Sequence, residues 1–132
     1  PVAAPPRTDA VAYGEYLSRI ARCEFCHTPR VRGRLEPVAD RLFAGGVPFV
    51  MGTHTQYSKN LTMHPTGIGG WTKDIFIARF RVHTEPFPVT EEQNSEMDWV
   101  AFSGMSDEDL GAIWDYLATL PPLELKLLDR AD

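Results

Sequence analysis

Apolar residues recur at helical spacing in three separate stretches of the chain. The first, residues 9–21, carries its apolar side chains on roughly one predicted helical face: Val11, Leu17, Ile20 and Ala21. Gly14 lies within this stretch. Because glycine costs a helix about 1 kcal/mol relative to alanine, we expect Gly14 to mark a close crossing with another helix near the C-terminus.

The other two stretches begin with a residue that caps helices well. Ser106 precedes three acidic residues and an apolar repeat at three and four positions, Leu110, Ile113, Trp114, Leu117 and Leu120, and Pro121-Pro122 ends the stretch. The shorter helix runs from Thr72 to Arg81, with Thr72 as its predicted cap and Ile75, Phe76 and Phe80 as its predicted buried face.

A Gly- and Pro-rich region, residues 29–70, separates the first helix from the shorter helix that begins at Thr72. No internal repeat is evident. A short hairpin within residues 43–53 is the one strand pair that the pattern allows. We therefore predict an all-α fold, three or more helices wrapped by long loops, in one domain over residues 9–122. Residues 1–8 are a predicted flexible leader, and residues 123–132 a tail or short helix.

The charge and composition of the chain limit its function. The 132 residues carry a formal charge of −5, which argues against a nucleic-acid binder and suits recognition of a basic partner. No apolar run reaches transmembrane length. The Pro- and Ala-rich opening is typical of what remains after an export signal or anchor is removed.

Residues 23–27 read Cys-Glu-Phe-Cys-His, the pattern of covalent c-type haem attachment. Cys23 and Cys26 are predicted to form thioethers with the two vinyl groups of one haem c, and His27 to be the proximal iron ligand. Such attachment indicates a periplasmic or equivalent compartment. The alternatives are a redox dithiol, which needs a β-α-β setting, or half of a zinc site, which needs two further ligands.

Several residues are candidates for the opposite face of the iron. Met105 immediately precedes the Ser106 cap and is predicted to staple against Leu110, whereas Met97 lies far enough upstream to cross an open haem face. Met97 is therefore the predicted distal ligand, unless it only fills a gap in the core. Met51 and Met63 are predicted packing or surface residues. His54, His64 and His83 are the alternatives that would give a bis-histidine haem.

Motifs from Tyr13 to Pro122 resemble class I cytochromes c, and more narrowly a haem domain of the cytochrome subunits of membrane-bound alcohol and sugar-acid dehydrogenases. They are residues 14–17, the Cys23–Pro29 segment, residues 43–46, residues 58–62, residues 66–72, residues 97–99 and residues 105–110. The resemblance implies a class I cytochrome c fold and a Met97 ligand. It also implies that Asn60 and Trp71 lie along the propionate edge, although Trp71 could equally be a core residue.

The chain departs from that family in two ways. Asp98 replaces the usual proline after the ligand methionine and follows an acidic, polar segment that includes Glu91, Glu92 and Glu96. Nearby carboxylates favour ferric iron, so we expect a lowered midpoint potential. Relatives commonly carry three haems, whereas this chain has one attachment motif.

These observations favour a monomeric electron carrier that cycles between Fe(II) and Fe(III) and transforms no substrate. Its predicted partners are redox proteins, with a membrane-associated dehydrogenase or oxidase as a candidate. Arg22, Arg30, Arg32 and Arg34 could make the rim near the haem edge basic, or could equally form an ordinary solvated face. Two alternatives stay open. One is a haem enzyme or sensor with an open or labile sixth position, and the other is an electron-transfer module docked permanently to a dehydrogenase.

Overall fold

A computed structural model describes residues 2–85, 90 and 94–127 of the chain. The chain there is mostly helical, with five α-helices, α1 (Ala10–Ile20), α2 (Cys23–His27), α3 (Lys73–Phe80), α4 (Trp99–Phe102) and α5 (Asp107–Ala118). A two-stranded sheet pairs β1 (Pro48–Met51) with β2 (His54–Tyr57). None of the helices in these ranges has the length and apolarity needed to cross a membrane. The predictions for Pro1, Glu91, Glu92 and residues 128–132 lie outside the described residues.

The first and last helices cross at Gly14. A Cβ atom at this position would lie only 1.8 Å from the carbonyl oxygen of Ala112 in α5, so the two backbones are in direct contact there. Beside the crossing, the Tyr13 hydroxyl donates a hydrogen bond of 2.9 Å to Asp109. The predicted close crossing between the first helix and a C-terminal helix is confirmed.

The buried faces of α1 and α3 differ from the predicted ones. In α1 the buried residues are Tyr13, Gly14, Leu17 and Ser18, whereas Val11 and Ile20 are 41 % and 61 % exposed. The contact at Gly14 sets which side of α1 faces α5, and this side excludes Val11 and Ile20. In α3 only Phe76 is buried, with Phe80 packed partly against the core and Ile75 49 % exposed.

The core lies where α1, α3 and α5 meet the loops. Its buried apolar residues are Tyr13, Leu17, Phe43, Ile68, Phe76, Ala112, Ile113 and Leu117. Leu110, Ile113 and Leu117 of α5 are all buried, and Trp114 and Leu120 pack against the cluster, as the helical repeat predicted.

Side-chain caps begin four of the helices. Asp9 caps α1, Thr72 caps α3 and Ser106 caps α5, each accepting a hydrogen bond from a backbone N–H three residues later. Asp98 caps α4 in the same way, through the N–H of Ala101. The α4 helix was not predicted, because a single turn is too short to show an apolar repeat.

The hairpin lies slightly later in the chain than the predicted stretch. Its strands pair antiparallel, with Pro48 opposite Tyr57 and Met51 opposite His54, and Gly52 turns the chain with a φ of 57°. Gln56 donates a hydrogen bond of 3.1 Å to the carbonyl of Asn94, which joins the hairpin to the segment that leads to Met97.

The described part of the C-terminal tail, residues 123–127, has no regular secondary structure and packs on the 60–66 loop. Arg41 donates to the carbonyl of Glu124 at 2.6 Å, and the N–H of Leu125 donates to Thr66 at 2.8 Å. The tail therefore closes over a loop about sixty residues earlier in the chain.

Candidate functional site

The attachment motif forms its own short helix, α2, directly after α1. Arg22 separates the two helices and adopts a left-handed conformation with a φ of 59°, which turns the chain. Both cysteines of α2 are half-buried free thiols, three residues apart on one helical turn. The motif is thus presented as two thiols followed by an imidazole at the end of a helix.

His27 is held by a hydrogen bond from its own ring. Its Nδ1 lies 2.7 Å from the carbonyl oxygen of Lys59, and since a carbonyl can only accept, Nδ1 carries the proton. Burial lowers the pKa of His27, while the Lys59 carbonyl acts in the opposite direction. The neutral ring therefore keeps the Nε2 lone pair available for a metal ion, which is the form that a proximal ligand requires.

The loop at residues 43–46 braces this arrangement. The N–H of Gly45 donates 2.7 Å to the carbonyl of His27, and the N–H of Phe43 donates 2.9 Å to the buried hydroxyl of Thr28. Gly45 has a φ of 68°, and a Cβ there would lie 2.5 Å from the backbone of Lys59. A glycine is required because the loop passes against the same backbone that accepts the His27 hydrogen bond.

The thiols have the character of buried neutral groups. Burial raises the pKa of Cys23 to about 11. Burial also raises the pKa of Cys26, with Glu96 acting in the same direction and Arg22 and Arg30 opposing it. Reactive dithiols show lowered pKa values, so this environment does not favour a redox dithiol. Within the described ranges, no three His, Cys, Asp or Glu side chains cluster as a metal site, so the zinc alternative gains no further ligands.

Three of the four methionines are used in packing. Met51 is buried in the hairpin, and Met63 and Met105 pack against the hydrophobic core. Met97 is half-buried, and its N–H donates to the Ser95 hydroxyl at 3.1 Å. Its neighbour Glu96 acts electrostatically on the Cys26 pKa, so the segment that carries Met97 lies within electrostatic range of the attachment motif.

The three alternative histidines have different surroundings. His64 uses Nδ1 in contacts with Thr66, at 2.8 Å to the hydroxyl and 3.1 Å to the N–H. His83 follows the end of α3 and is half-buried. His54, in β2, has both ring nitrogens buried without a hydrogen-bond partner in the described part of the chain. Of the three, His54 has the ring most in need of a partner.

Asn60 and Trp71 occupy different environments. Asn60 is 2 % exposed, and its amide bonds to the chain itself, accepting from the Thr62 N–H at 2.9 Å and donating to the Leu123 carbonyl at 2.6 Å and the Thr66 hydroxyl at 3.1 Å. Asn60 therefore ties the tail to the 60–66 loop. Trp71 is 38 % exposed, just before α3. Their propionate-edge roles stay predictions.

One residue that supports the Met97 segment was missed in the sequence. The Arg81 guanidinium donates to the carbonyl of Ser103 at 2.5 Å, to the carbonyl of Met105 at 2.7 Å and to Asp107 at 2.6 Å. These partners lie 22 to 26 residues away, so no local pattern could have marked it. Arg81 fixes the chain between α4 and α5, downstream of Met97.

The rings at the end of α3 hold the α4 side of the same segment. Phe80 packs against Trp99 with ring centroids 5.5 Å apart, and the Arg79 guanidinium lies 4.3 Å from the centre of the Trp99 ring. The backbone N–H of Trp99 in turn donates a hydrogen bond of 2.9 Å to the carbonyl of Met97. The last turn of α3 therefore supports the Met97 segment through its contacts with Trp99.

The chain is similar to several cytochrome c subunits of bacterial dehydrogenases. It is 33 % identical over 110 residues, 80 % of its length, to the gluconate 2-dehydrogenase cytochrome c subunit of Pantoea cypripedii. It is 33 % identical over 131 residues, 91 % of its length, to the alcohol dehydrogenase (quinone) cytochrome c subunit of Gluconacetobacter polyoxogenes. The corresponding subunit of Gluconobacter oxydans is 29 % identical over 104 residues. The predicted resemblance to these haem-protein subunits is confirmed.

The match covers a small part of each relative. The aligned regions make up 22 % of the Pantoea subunit, 26 % of the Gluconacetobacter subunit and 20 % of the Gluconobacter subunit, so the chain spans about a quarter of their length or less. No protein-family model matches the chain.

Proposed function

We propose that this chain is a monohaem c-type cytochrome that carries electrons, with Cys23 and Cys26 as thioether anchors and His27 and Met97 as iron ligands. The bound haem iron supplies reversible one-electron chemistry. The observation that carries the proposal is the His27 ring, whose Nδ1–H is fixed on the Lys59 carbonyl while Nε2 has no hydrogen-bond partner among the described residues, in the same short helix as two free thiols.

Met97 is proposed as the distal ligand because the other three methionines are used in packing. Met51, Met63 and Met105 are used in packing, whereas the Met97 segment lies within electrostatic range of Cys26 through Glu96 and is braced from α3 by Arg81 and Phe80. A thioether opposite an imidazole favours ferrous iron. The residues that the chain supplies therefore fit a haem of fixed ligation better than one with an open sixth position.

The named relatives extend the proposal to partners and compartment. Because they are subunits of dehydrogenases, we propose that this chain passes electrons from or to a membrane-associated dehydrogenase or oxidase. Attachment of haem to a Cys-x-x-Cys-His motif belongs to an exported compartment, so we place the protein in the periplasm. The chain itself performs no substrate chemistry in this role.

The first experiment establishes the cofactor. The chain is matured in a host competent for c-type haem attachment, and its intact mass, pyridine adduct and absorption in both redox states are measured. We expect the mass of one haem, retained under denaturing conditions, in the parent. The C23A/C26A variant should lose the covalent haem. A parent polypeptide of bare mass would refute the proposal.

The second experiment identifies the distal ligand. Ferric haem with thioether ligation shows a near-infrared charge-transfer band, and we expect Met97→Ala to abolish it and to allow rapid cyanide binding. Met105→Ala is the matched control, because it removes a methionine eight residues later that packs on the core, and it should keep the band. A band that survives in Met97→Ala would exclude Met97 as the ligand.

A bis-histidine haem is a second candidate, and one observation favours it. The ring nitrogens of His54 are buried, and no hydrogen-bond partner occurs for them in the described residues, although such groups are normally satisfied. Under this alternative the parent lacks the sulfur band, and His54→Ala, rather than Met97→Ala, opens the iron to cyanide. The same spectra therefore decide between the two.

A further inference from the structure

Positive charge is concentrated around the attachment motif of an otherwise acidic chain. Residues 19–36 hold five arginines and two glutamates, a net charge of +3. The remaining residues hold eight basic and sixteen acidic side chains, a net charge of −8, within the total of −5. Positive charge is therefore concentrated in the chain segment that carries the motif.

Two of these arginines stack on one exposed aromatic ring. The Arg22 and Arg30 guanidiniums lie 4.7 Å and 4.8 Å from the centre of the Phe25 ring, which is 42 % exposed. Phe25 lies between the two cysteines of the motif, directly before Cys26. We call Arg22, Phe25 and Arg30 the arginine-phenylalanine surface.

Neither guanidinium of this surface pairs with a carboxylate of the described residues. Arg19 pairs with Glu15 and Arg34 with Glu36, but within the ranges that the structure describes Arg22 and Arg30 form no ion pair. The Arg30 Nε is buried and without a hydrogen-bond partner there. Arg30 also donates from Nη1 to the carbonyl of Leu35, which leaves its Nη2 and the exposed Arg22 guanidinium to bind a partner's carboxylates.

The surface borders a hollow beside the attachment motif. The hollow has a volume of about 250 Å³, smaller than the pockets that hold drug-sized ligands, and Arg19 and Glu24 line it together with the three residues of the surface. Phe25 directly precedes Cys26 and both arginines lie against its ring, so the surface adjoins the point where Cys26 would join the haem edge. Tryptophan, tyrosine and arginine dominate binding energy at interfaces, and an aromatic ring between two arginines fits that pattern.

We propose that the arginine-phenylalanine surface docks a redox partner through carboxylate side chains of that partner, and that electrons cross there. The proposal rests on the proposed electron-transfer function. A carboxylate-rich partner is repelled by the −8 region and attracted by the +3 region, so the charge pattern also orients it. The contact is expected to be short-lived and sensitive to salt.

The test uses the haem-loaded protein and two small oxidants of opposite charge. The reduced protein is mixed with anionic hexacyanoferrate(III) or with cationic tris(phenanthroline)cobalt(III), and the oxidation rate is followed from about 0.01 M to about 0.5 M ionic strength. Although the protein is negative overall, we expect the anionic reagent to react faster at low salt. In R22Q/R30Q this rate should fall on the order of tenfold at low salt and converge with the parent at high salt.

The matched control removes the same charge elsewhere. K73Q/K126Q changes two exposed lysines outside the surface, so the net charge falls equally, and its rate with the anionic reagent should stay within about twofold of the parent. R22K/R30K retains the charge and should retain the salt dependence. Thermal unfolding of each variant checks its folding. A parent that reacts more slowly with the anion at low salt, or a control that falls as far as R22Q/R30Q, would overturn the proposal.

A second readout uses a carboxylate-rich probe. A polyglutamate peptide is titrated into the labelled, haem-loaded protein, and backbone amide shifts are recorded. We expect salt-sensitive shifts centred on Arg22, Phe25 and Arg30 and weaker binding by R22K/R30K, which lacks the guanidinium fork. Shifts located elsewhere, in a protein whose haem spectrum is intact, would refute the docking site but not the electron-transfer function. A protein without haem, or one that neither reagent oxidises, instead refutes the electron-transfer function.

Discussion

Replacement of Gly14 by alanine should separate the first and last helices. The added Cβ would lie 1.8 Å from the Ala112 carbonyl oxygen and 2.4 Å from its carbon, whereas real Cβ atoms keep at least 3.0 Å from such atoms. Both clashing groups are backbone, so no side-chain rotation relieves the overlap. The helices must move apart, and the packing of Tyr13 and Leu17 on α5 loosens.

The size of the effect follows from two opposing terms. Overpacking costs about 3 kcal/mol or more when rigid groups overlap, and alanine returns about 1 kcal/mol through its better helix propensity. The net loss of unfolding free energy is therefore about 2–3 kcal/mol. For a chain of 132 residues this corresponds to a Tm lowered by roughly 10 °C.

The assay is thermal unfolding of the haem-loaded protein followed by circular dichroism. Gly111→Ala is the matched control, because Gly111 also lies in a helix near this crossing, but its added Cβ meets only side chains at ordinary contact distances, Lys73 at 3.5 Å and Ile77 at 3.9 Å. That variant should gain about 1 kcal/mol, raising Tm by roughly 4 °C. A Gly14→Ala variant as stable as the parent would show that the helices do not touch there.

Three further outcomes are expected. Asn60→Ala should lower the unfolding free energy by about 3–4 kcal/mol in urea, because the Leu123 carbonyl and the Thr62 N–H lose a buried partner; an unchanged midpoint would contradict the tail contact. Arg81→Ala should weaken the near-infrared sulfur band and speed cyanide binding in stopped-flow mixing, because the Ser103 and Met105 carbonyls lose their donor; parent-like cyanide kinetics would argue against it. Neutralising Glu96 and Asp98 should raise the midpoint potential by roughly tens of millivolts in protein-film voltammetry, since both carboxylates favour ferric iron, and no upward shift removes this explanation.

The sequence alone was sufficient for features that depend on near neighbours. The Cys23–His27 motif, the Thr72 and Ser106 caps and the apolar repeat of α5 all act within four residues. Because such interactions form in any chain with those residues, their outcome does not depend on the rest of the fold. The assignment of Gly14 to a crossing belongs here too, since an unfavourable residue in a helix needs a packing reason.

Only the tertiary structure decided which distant groups meet. The Val11 and Ile20 side of α1 looked apolar enough to be buried, but the backbone contact at Gly14 turned it outward. The Arg81 bonds, and the Asn60 bond to Leu123 across 63 residues, depend on how the loops close. A side chain with several suitable partners along the chain takes the one that packing brings within hydrogen-bond distance, and that choice has no local pattern.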